Sequence, residues 1–295
     1  MDRLGIMERL RLLCAFGAGN RYLSVYIDPS DPCGSYDRLL HDDKLAGDRY
    51  ASALRRLSDM QMNSILETCR RYRIKIVTPD DDGFPEQLLN IDCPPLLLFV
   101  LGDLAPFNNA YSAAIVGCRE PVDYSLAVAG CFSGFLAQKG VAIISGFARG
   151  IDTAAHTAAI RSGGITAAVL GCGVLCDYPK GTMPFRKEIS EHGAVISEYL
   201  PTERPAREHF RVRNRLISGL ADCVIVAEAS PKSGALNTAT HAAEQGREVY
   251  VIPPSNIFAE RFAGQSGLLE DGANLAIYPC DIYDYIVERH EICML

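Results

Sequence analysis

From Ala113 onward, short apolar runs alternate with helical stretches, and glycine-containing loops follow the runs. The runs are Ala113 to Val116, Val141 to Ile144, Thr166 to Leu170, Ala194 to Ile196, Cys223 to Ala227 and Val249 to Ile252. Unbroken apolar runs of this length fit strands buried on both faces, and their alternation with helices predicts an α/β doubly wound, mostly parallel sheet with helices on both faces. In such sheets ligands sit beyond the carboxyl ends of the strands. The loops Gly117 to Glu120, Ser145 to Asp152, Gly171 to Val174 and Glu228 to Gly234 are therefore expected to line one crevice.

The chain before Ala113 reads differently. Met7 to Phe16, Tyr50 to Leu57 and Asn63 to Tyr72 carry apolar residues at helical spacing between Asp, Gly and Pro clusters, so residues 1–72 are expected to form a small helical domain. Residues 73–112, with apolar runs Ile74 to Thr78 and Leu96 to Leu101 around a Pro- and Asp-rich stretch, read as a connecting segment joining the sheet edge, and 113–288 as the main domain. No apolar run approaches the roughly 18–20 residues of a membrane span, and Met1-Asp-Arg-Leu-Gly5 lacks a signal-peptide pattern. A cytoplasmic protein without a membrane partner is expected. The eleven cysteines are odd in number and irregularly spaced, which reads as reduced thiols.

The chemistry concentrates in Ser145-Gly-Phe-Ala-Arg-Gly-Ile-Asp-Thr-Ala-Ala-His156. Gly146 and Gly150 permit a tight turn, Asp152 stands where a helix N-cap is expected, and the helix start would receive a phosphate. No Gly-x-Gly-x-x-Gly or Gly-Lys-Ser/Thr motif follows a strand, which argues against ordinary dinucleotide or ATP binding. The loops instead supply hydroxyls (Ser145, Ser233) and cations (Arg119, Arg149, Lys180, Lys232), a set suited to several phosphodiesters in a row. The net charge is −7, but the excess acid lies in residues 73–112 and 254–295, leaving the middle near neutral with a run of arginines. Of these, Arg211, Arg213 and Arg215 open a helix, where one would bind a phosphate or play a structural part and another would pair with a carboxylate such as Glu228. Asp152 and His156 read either as an acid/base pair or, more simply, as a cap and a packed histidine. His156, His192, His209 and His241 are scattered, and no metal site is expected.

Set in order, these motifs resemble the DprA/Smf family of DNA-processing proteins. The matching pieces are Phe84-Pro-Glu-Gln-Leu88, Cys93 to Gly102, Ile115-Val-Gly-Cys-Arg119, Ser145 to His156, Ala168 to Gly173, Tyr178-Pro179, Gly193 to Glu198, Phe210 to Arg215, Ser233 to Ala239 and Gly246-Arg247. The resemblance implies a Rossmann-like domain, preceded by a small SAM-like helical domain, that binds single-stranded DNA without sequence preference and protects it. It also implies a homodimer, delivery of the strand to the RecA recombinase during DNA uptake and natural transformation, no cofactor and no enzymatic activity. By position, Gly117 and Arg119, then Ser145, Gly146, Phe147, Arg149 and Gly150, then Lys180 correspond to the strand-binding pocket. Arg213, Asn214 and Arg215, with Lys232, Ser233 and Gly234, extend it, and Tyr178 and Phe185 are aromatics near the same loops. Leu268, Leu269 and Leu275 are candidates for the dimer or partner surface. The chain departs from the family pattern at Cys118, Thr182, Pro254 and Ser266, and leaves no room after residue 290 for a winged-helix domain. The competing reading is a Rossmann-like enzyme or receptor for a small nucleotide, of the nucleoside monophosphate hydrolase kind. It would use Ser233 to Thr238 with Glu244 or Glu198.

Overall fold

The six apolar runs form adjacent parallel strands because each can be buried on both faces only between neighbours and under helices. A computed structural model describes residues 3–45, 47–108 and 110–293, so Met1 and Asp2 of the N-terminal reading lie outside the described residues. The first part contains α1 (Ile6–Phe16), α2 (Leu23–Tyr26), α3 (Pro32–His41), α4 (Arg49–Arg55) and α5 (Asp59–Arg71). Of these, α2 and α3 were not anticipated. Helix α3 starts inside a Pro-rich stretch because Pro32 occupies the first turn, where its missing N–H costs nothing, and Asp31 caps the Gly34 amide.

Strands β1 (Lys75–Val77) and β2 (Leu98–Gly102) follow. Then come β3 (Ser112–Gly117), α6 (Asp123–Gln138), β4 (Ala142–Ser145), α7 (Ile151–Arg161), β5 (Thr166–Val169), α8 (Met183–Glu191) and β6 (Gly193–Ser197). The chain continues with α9 (Arg207–Gly219), β7 (Cys223–Glu228), α10 (Gly234–Glu244), β8 (Glu248–Val251), α11 (Ala263–Glu270), β9 (Asn274–Leu275) and α12 (Pro279–Cys293). The sheet order is β1-β2-β6-β5-β4-β3-β7-β8-β9. Strands β3 to β8 run parallel, β9 adds a parallel edge, and β1 and β2 extend the other edge antiparallel.

The order reverses direction at β3, so β4 and β7 flank it and the loops leaving all three strands converge there. One face of the sheet packs Val116, Ile144 and Val226 under α9 and α10, whose Leu216, Ile217, Ala235 and Ala239 join the same cluster. The other face packs Ile115, Ile143 and Ile225 against Phe132 and Leu136 of α6, Ala155 of α7, and Ile282 and Ile286 of α12. Helix α1 is shared: Leu12 and Phe16 face Leu39 and Leu54, while Leu10 and Leu13 belong to a cluster with Phe99, Ala168 and Val195 of the sheet.

Candidate functional site

Two adjoining cavities lie over the carboxyl ends of the central strands, of about 360 and 460 Å³, with Arg119, Ala148, Phe210 and Arg213 common to both. Gly146, Arg149, Tyr178 and Lys180 line the first. Gly117, Asn214, Lys232, Ser233 and Gly234 line the second, together with Arg207 and Arg211. Loops from four strands thus meet as the topology demanded.

Arg119, Arg149, Lys180, Arg207 and Lys232 are all exposed. Among the described residues, none of the five forms an ion pair, although Glu120 and Asp177 stand in the first cavity. Asp177 is engaged locally, accepting from the Gly181 amide at 2.9 Å. Half-buried Phe210 sits at the centre, 5.6 Å from the Tyr178 ring, with the guanidinium carbons of Arg119 and Arg213 at 5.7 and 5.8 Å from its centroid. Phe210 was not anticipated as an aromatic surface. Its position in the first turn of α9 between basic residues was the available signal.

Other expected contacts face inward. Ser145 is fully buried and its hydroxyl donates to Ile115 O at 2.6 Å. The buried Phe147 ring stacks on Phe185 at 5.8 Å and lies under Arg186. Arg213 is buried and donates from Nη1 to Gly146 O at 2.6 Å and to Val169 O, bracing the loops after β4 and β5. Asn214 donates to Gly234 O and Asn237 Oδ1, both at 3.1 Å, and holds the start of α10. Arg215 lines neither of these cavities. It is buried and grips Glu198 from Nη2 at 2.8 and 2.7 Å, whereas Glu228 pairs with Arg261. An arginine does pair with a carboxylate at a strand end, but the carboxylate is Glu198 after β6 rather than Glu228, because α9 leads Arg215 away from the end of β7.

The loop from Ser145 to His156 also differs from a simple phosphate cradle. Gly150, not Asp152, is the N-cap of α7, with φ +80°. Asp152 is the second residue of the helix and its carboxylate accepts from the Ala148 amide at 3.0 Å, while Ile151 N donates to Cys118 O at 3.2 Å. Two amides thus serve to shape the loop. Burial pushes the Asp152 carboxyl up, opposed by the Ala148 amide and the Arg213 guanidinium. His156 is fully buried; Thr166 gives its one hydroxyl proton to Ile143 O, so Nδ1–H donates to Thr166 Oγ1 at 2.7 Å. A neutral, sealed imidazole and a loop-holding carboxylate are architecture.

Burial holds His156 down at about 3. Unfolding therefore takes up a proton below the ordinary histidine value near 6.5, so this contribution is intact above that pH and is lost as pH falls toward 3. The loss is about 2 kcal/mol by pH 5. Thermal melts from pH 7 to 4 should show a shallower acid slope for His156→Gln than for the wild type. Parallel slopes would contradict the assignment.

Among the described residues, no group of three or more His, Cys, Asp or Glu side chains is placed to hold a metal ion, and no helix is long and apolar enough to cross a membrane. The fold and the crevice define the class: a Rossmann-like α/β protein with a cationic crevice, built around aromatics, at the switch point of its sheet. The chain belongs to the DNA recombination-mediator protein A family, whose model matches residues 75–287. It is 34% identical to the DNA processing protein DprA of Bacillus subtilis over 226 residues, covering 77% of this chain and 76% of that protein. It is 40% identical to DprA of Streptococcus pneumoniae over 205 residues, covering 68% and 71% of the two chains. The X-ray structure of the Streptococcus pneumoniae protein superposes with a TM-score of 0.82 at 30% identity, covering 96% of this chain and 98% of that one. DNA processing protein A from Helicobacter pylori, whose structure describes a single-stranded DNA binding mode, gives 0.65 at 27% identity over 73% and 97% of the two chains. The family read from the motifs, and its fold, are borne out.

Proposed function

We propose that the crevice binds single-stranded DNA through its phosphates and bases without sequence preference. The observation that carries this is the set of five exposed, unpaired cations ringing Phe210 and Tyr178 across two adjoining cavities. Cations along a groove hold a chain of phosphates, and a central aromatic stacks on any base. The single-stranded DNA binding described for the Helicobacter pylori relative supports the same reading. In this reading Ser145, Phe147, Arg213 and Asn214 shape the loops, while Arg119, Arg149, Lys180, Arg207 and Lys232 meet the strand. Membership of a recombination-mediator family supports the finer part of the proposal. The chain protects the strand in the cytoplasm, helps load RecA recombinase on it during DNA uptake, and acts as a homodimer without turnover. Leu268 and Leu269 are half-buried on α11, and Leu275 is exposed on the edge strand β9, beside the exposed Ile277 and Tyr278. That edge is the proposed dimer or partner surface. Gel filtration with and without oligonucleotide reads the dimer state, and RecA filament formation on the captured strand reads the loading.

The test of the crevice is binding of labelled oligothymidylate against salt. Single-strand contacts contribute a slope of about −0.7 each, so Arg119→Ala with Lys180→Ala should make the slope shallower by about 1.4. Unchanged affinity and slope would remove the crevice from the proposal. Phe210→Ala should weaken binding by about 1–3 kcal/mol with the salt slope unaltered, because stacking releases no counterions. A changed slope would mean that the ring only props Arg119.

The small-nucleotide reading loses its carboxylates. Glu198 is locked to Arg215 and Glu244 lies 3.2 Å from His241 Nδ1, and neither lines the two adjoining cavities. Release of free base from nucleoside monophosphates would reinstate it.

A further inference from the structure

We propose that Cys172 and Cys176 form a reversible dithiol–disulfide pair, a modification site in the loop that carries Tyr178 and Lys180 into the crevice. Cys172 is buried and lines the first cavity, and half-buried Cys176 packs in the same cluster. The Cys176 amide donates to Gly173 O at 3.0 Å, a tight turn that folds the loop back on itself between the two cysteines. A disulfide needs sulfurs and Cβ atoms facing at short range, and the turn folds Cys176 back toward the cluster that holds Cys172.

The second observation is Arg186. Its side chain is 1% exposed and, among the described residues, has no carboxylate partner. It donates to Val174 O at 3.1 Å and to Tyr178 O, carbonyls on either side of Cys176, and reaches Cys172 Sγ at 3.9 Å. A fixed buried cation thus stands against the sulfur of a dithiol, where it stabilises negative charge developing on that sulfur. Burial still pushes the Cys172 thiol up to about 11, with Arg186 opposing, so the more accessible Cys176 meets the oxidant first.

The oxidant is a hydroperoxide. The Cys176 thiolate attacks one peroxide oxygen, the O–O bond breaks, and the departing oxygen leaves as water after protonation; Cys176 becomes a sulfenic acid. Cys172 sulfur then attacks Cys176 sulfur as the S–O bond breaks, and a second water leaves with the Cys172 proton. Two thiols and hydrogen peroxide thus give one disulfide and two waters, and a dithiol reductant restores both thiols. The sulfurs close to about 2.05 Å and pull Cys176 inward. Residues Asp177 to Thr182 follow, because the Asp177 carboxylate ties the Gly181 and Thr182 amides to its own position. The effect on DNA rests on the crevice reading above; the bond itself does not.

The tryptic segment 162–180 contains these two cysteines and no others. After treating the full chain with hydrogen peroxide and alkylating it, mass spectrometry should find this segment lacking two hydrogens and unalkylated. Dithiothreitol should reverse the change, and Cys176→Ser should abolish it. Alkylation of both sulfurs after oxidation, or a disulfide mapping only to exposed Cys131 or Cys280, would overturn the proposal. Cys172→Ala is the second variant, expected to stop at a Cys176 sulfenic acid trapped by dimedone; absence of the adduct would count against Cys176 as the first sulfur attacked. Oxidised wild type should bind oligothymidylate about tenfold more weakly than reduced, the loss of one charge-assisted contact, and Cys176→Ser should not respond to peroxide. Equal affinities would refute the link to the crevice. A reduced protein that fails to bind DNA would refute the crevice reading while leaving the peptide result to decide the disulfide.

Discussion

Glu198→Ala is expected to destabilise the protein by about 3–5 kcal/mol, because it strands a buried guanidinium without its counter-charge. Both carboxylate oxygens accept from Arg215 Nη2, and the two side chains are 6% and 2% exposed. Arg215 Nε and Nη1 are already buried without a partner, so Glu198 is the compensation for that charge. Burial pushes the Glu198 carboxyl up and Arg215 opposes it, which marks the pair as costly to assemble as well as costly to break. Glu198→Ala with Arg215→Met should therefore recover most of the loss, and the cycle of single and double variants measures the coupling. Thermal melts should show Glu198→Ala lower by about 10 °C or more. A shift of only a degree or two would mean that water reaches Arg215. The pair also lies under the helical segment, since a Cβ on Gly19 would come within 3.0 Å of Arg215 Nε and Nη2. Arg215 lines neither crevice cavity, so the double variant should bind oligothymidylate as the wild type does. A large drop in affinity would return Arg215 to the strand-binding set.

The sheet was legible in the sequence where burial on both faces left a continuous apolar signature, as at Ile143 or Val224. It was illegible where that signature fails. Strand β9 is two exposed residues, Asn274 and Leu275, held by pairing to β8 and by nothing in their own pattern. The convergence of four loops followed from topology alone. What a loop side chain faces did not. The residues Arg211, Arg213 and Arg215 look alike in sequence, yet within about one turn of α9 Arg211 faces solvent, Arg213 lies beneath two carbonyls and Arg215 beneath Gly19. Ser145 likewise reads as a donor to a ligand, but as the last residue of β4 it points into the sheet and bonds to β3. Phe210 carried no reading of its own in the sequence, yet it stands half-buried at the centre of the crevice, with Gly171 of the loop after β5 close against its ring.

Gly150→Ala is expected to abolish the crevice rather than trim it. Gly150 has φ +80° and ψ −122°, a conformation that costs an L-residue on the order of 1–3 kcal/mol. Its Cβ would also stand 2.5 Å from Cys118 O and 2.7 Å from Arg119 O, backbone atoms that cannot swing aside as a side chain end would. The same place holds the Ile151 N to Cys118 O bond, the stitch between the loops after β3 and β4. An added methyl therefore pushes Arg119 and its loop off α7, and both the cation over Phe210 and the adjoining cavities lose their geometry. Gly150→Ala should lose more affinity for oligothymidylate than Arg119→Ala, and about 3 kcal/mol of stability from strain and displacement together. Gly140→Ala separates strain from displacement: its φ is +82° but no atom lies within 4 Å of its Cβ. That variant should cost about 1 kcal/mol and leave binding intact, since the strain is the same in kind while nothing near the crevice moves. If Gly150→Ala bound DNA as Gly140→Ala does, the loops after β3 and β4 would be independent, and Arg119 would owe its position to Phe210 alone.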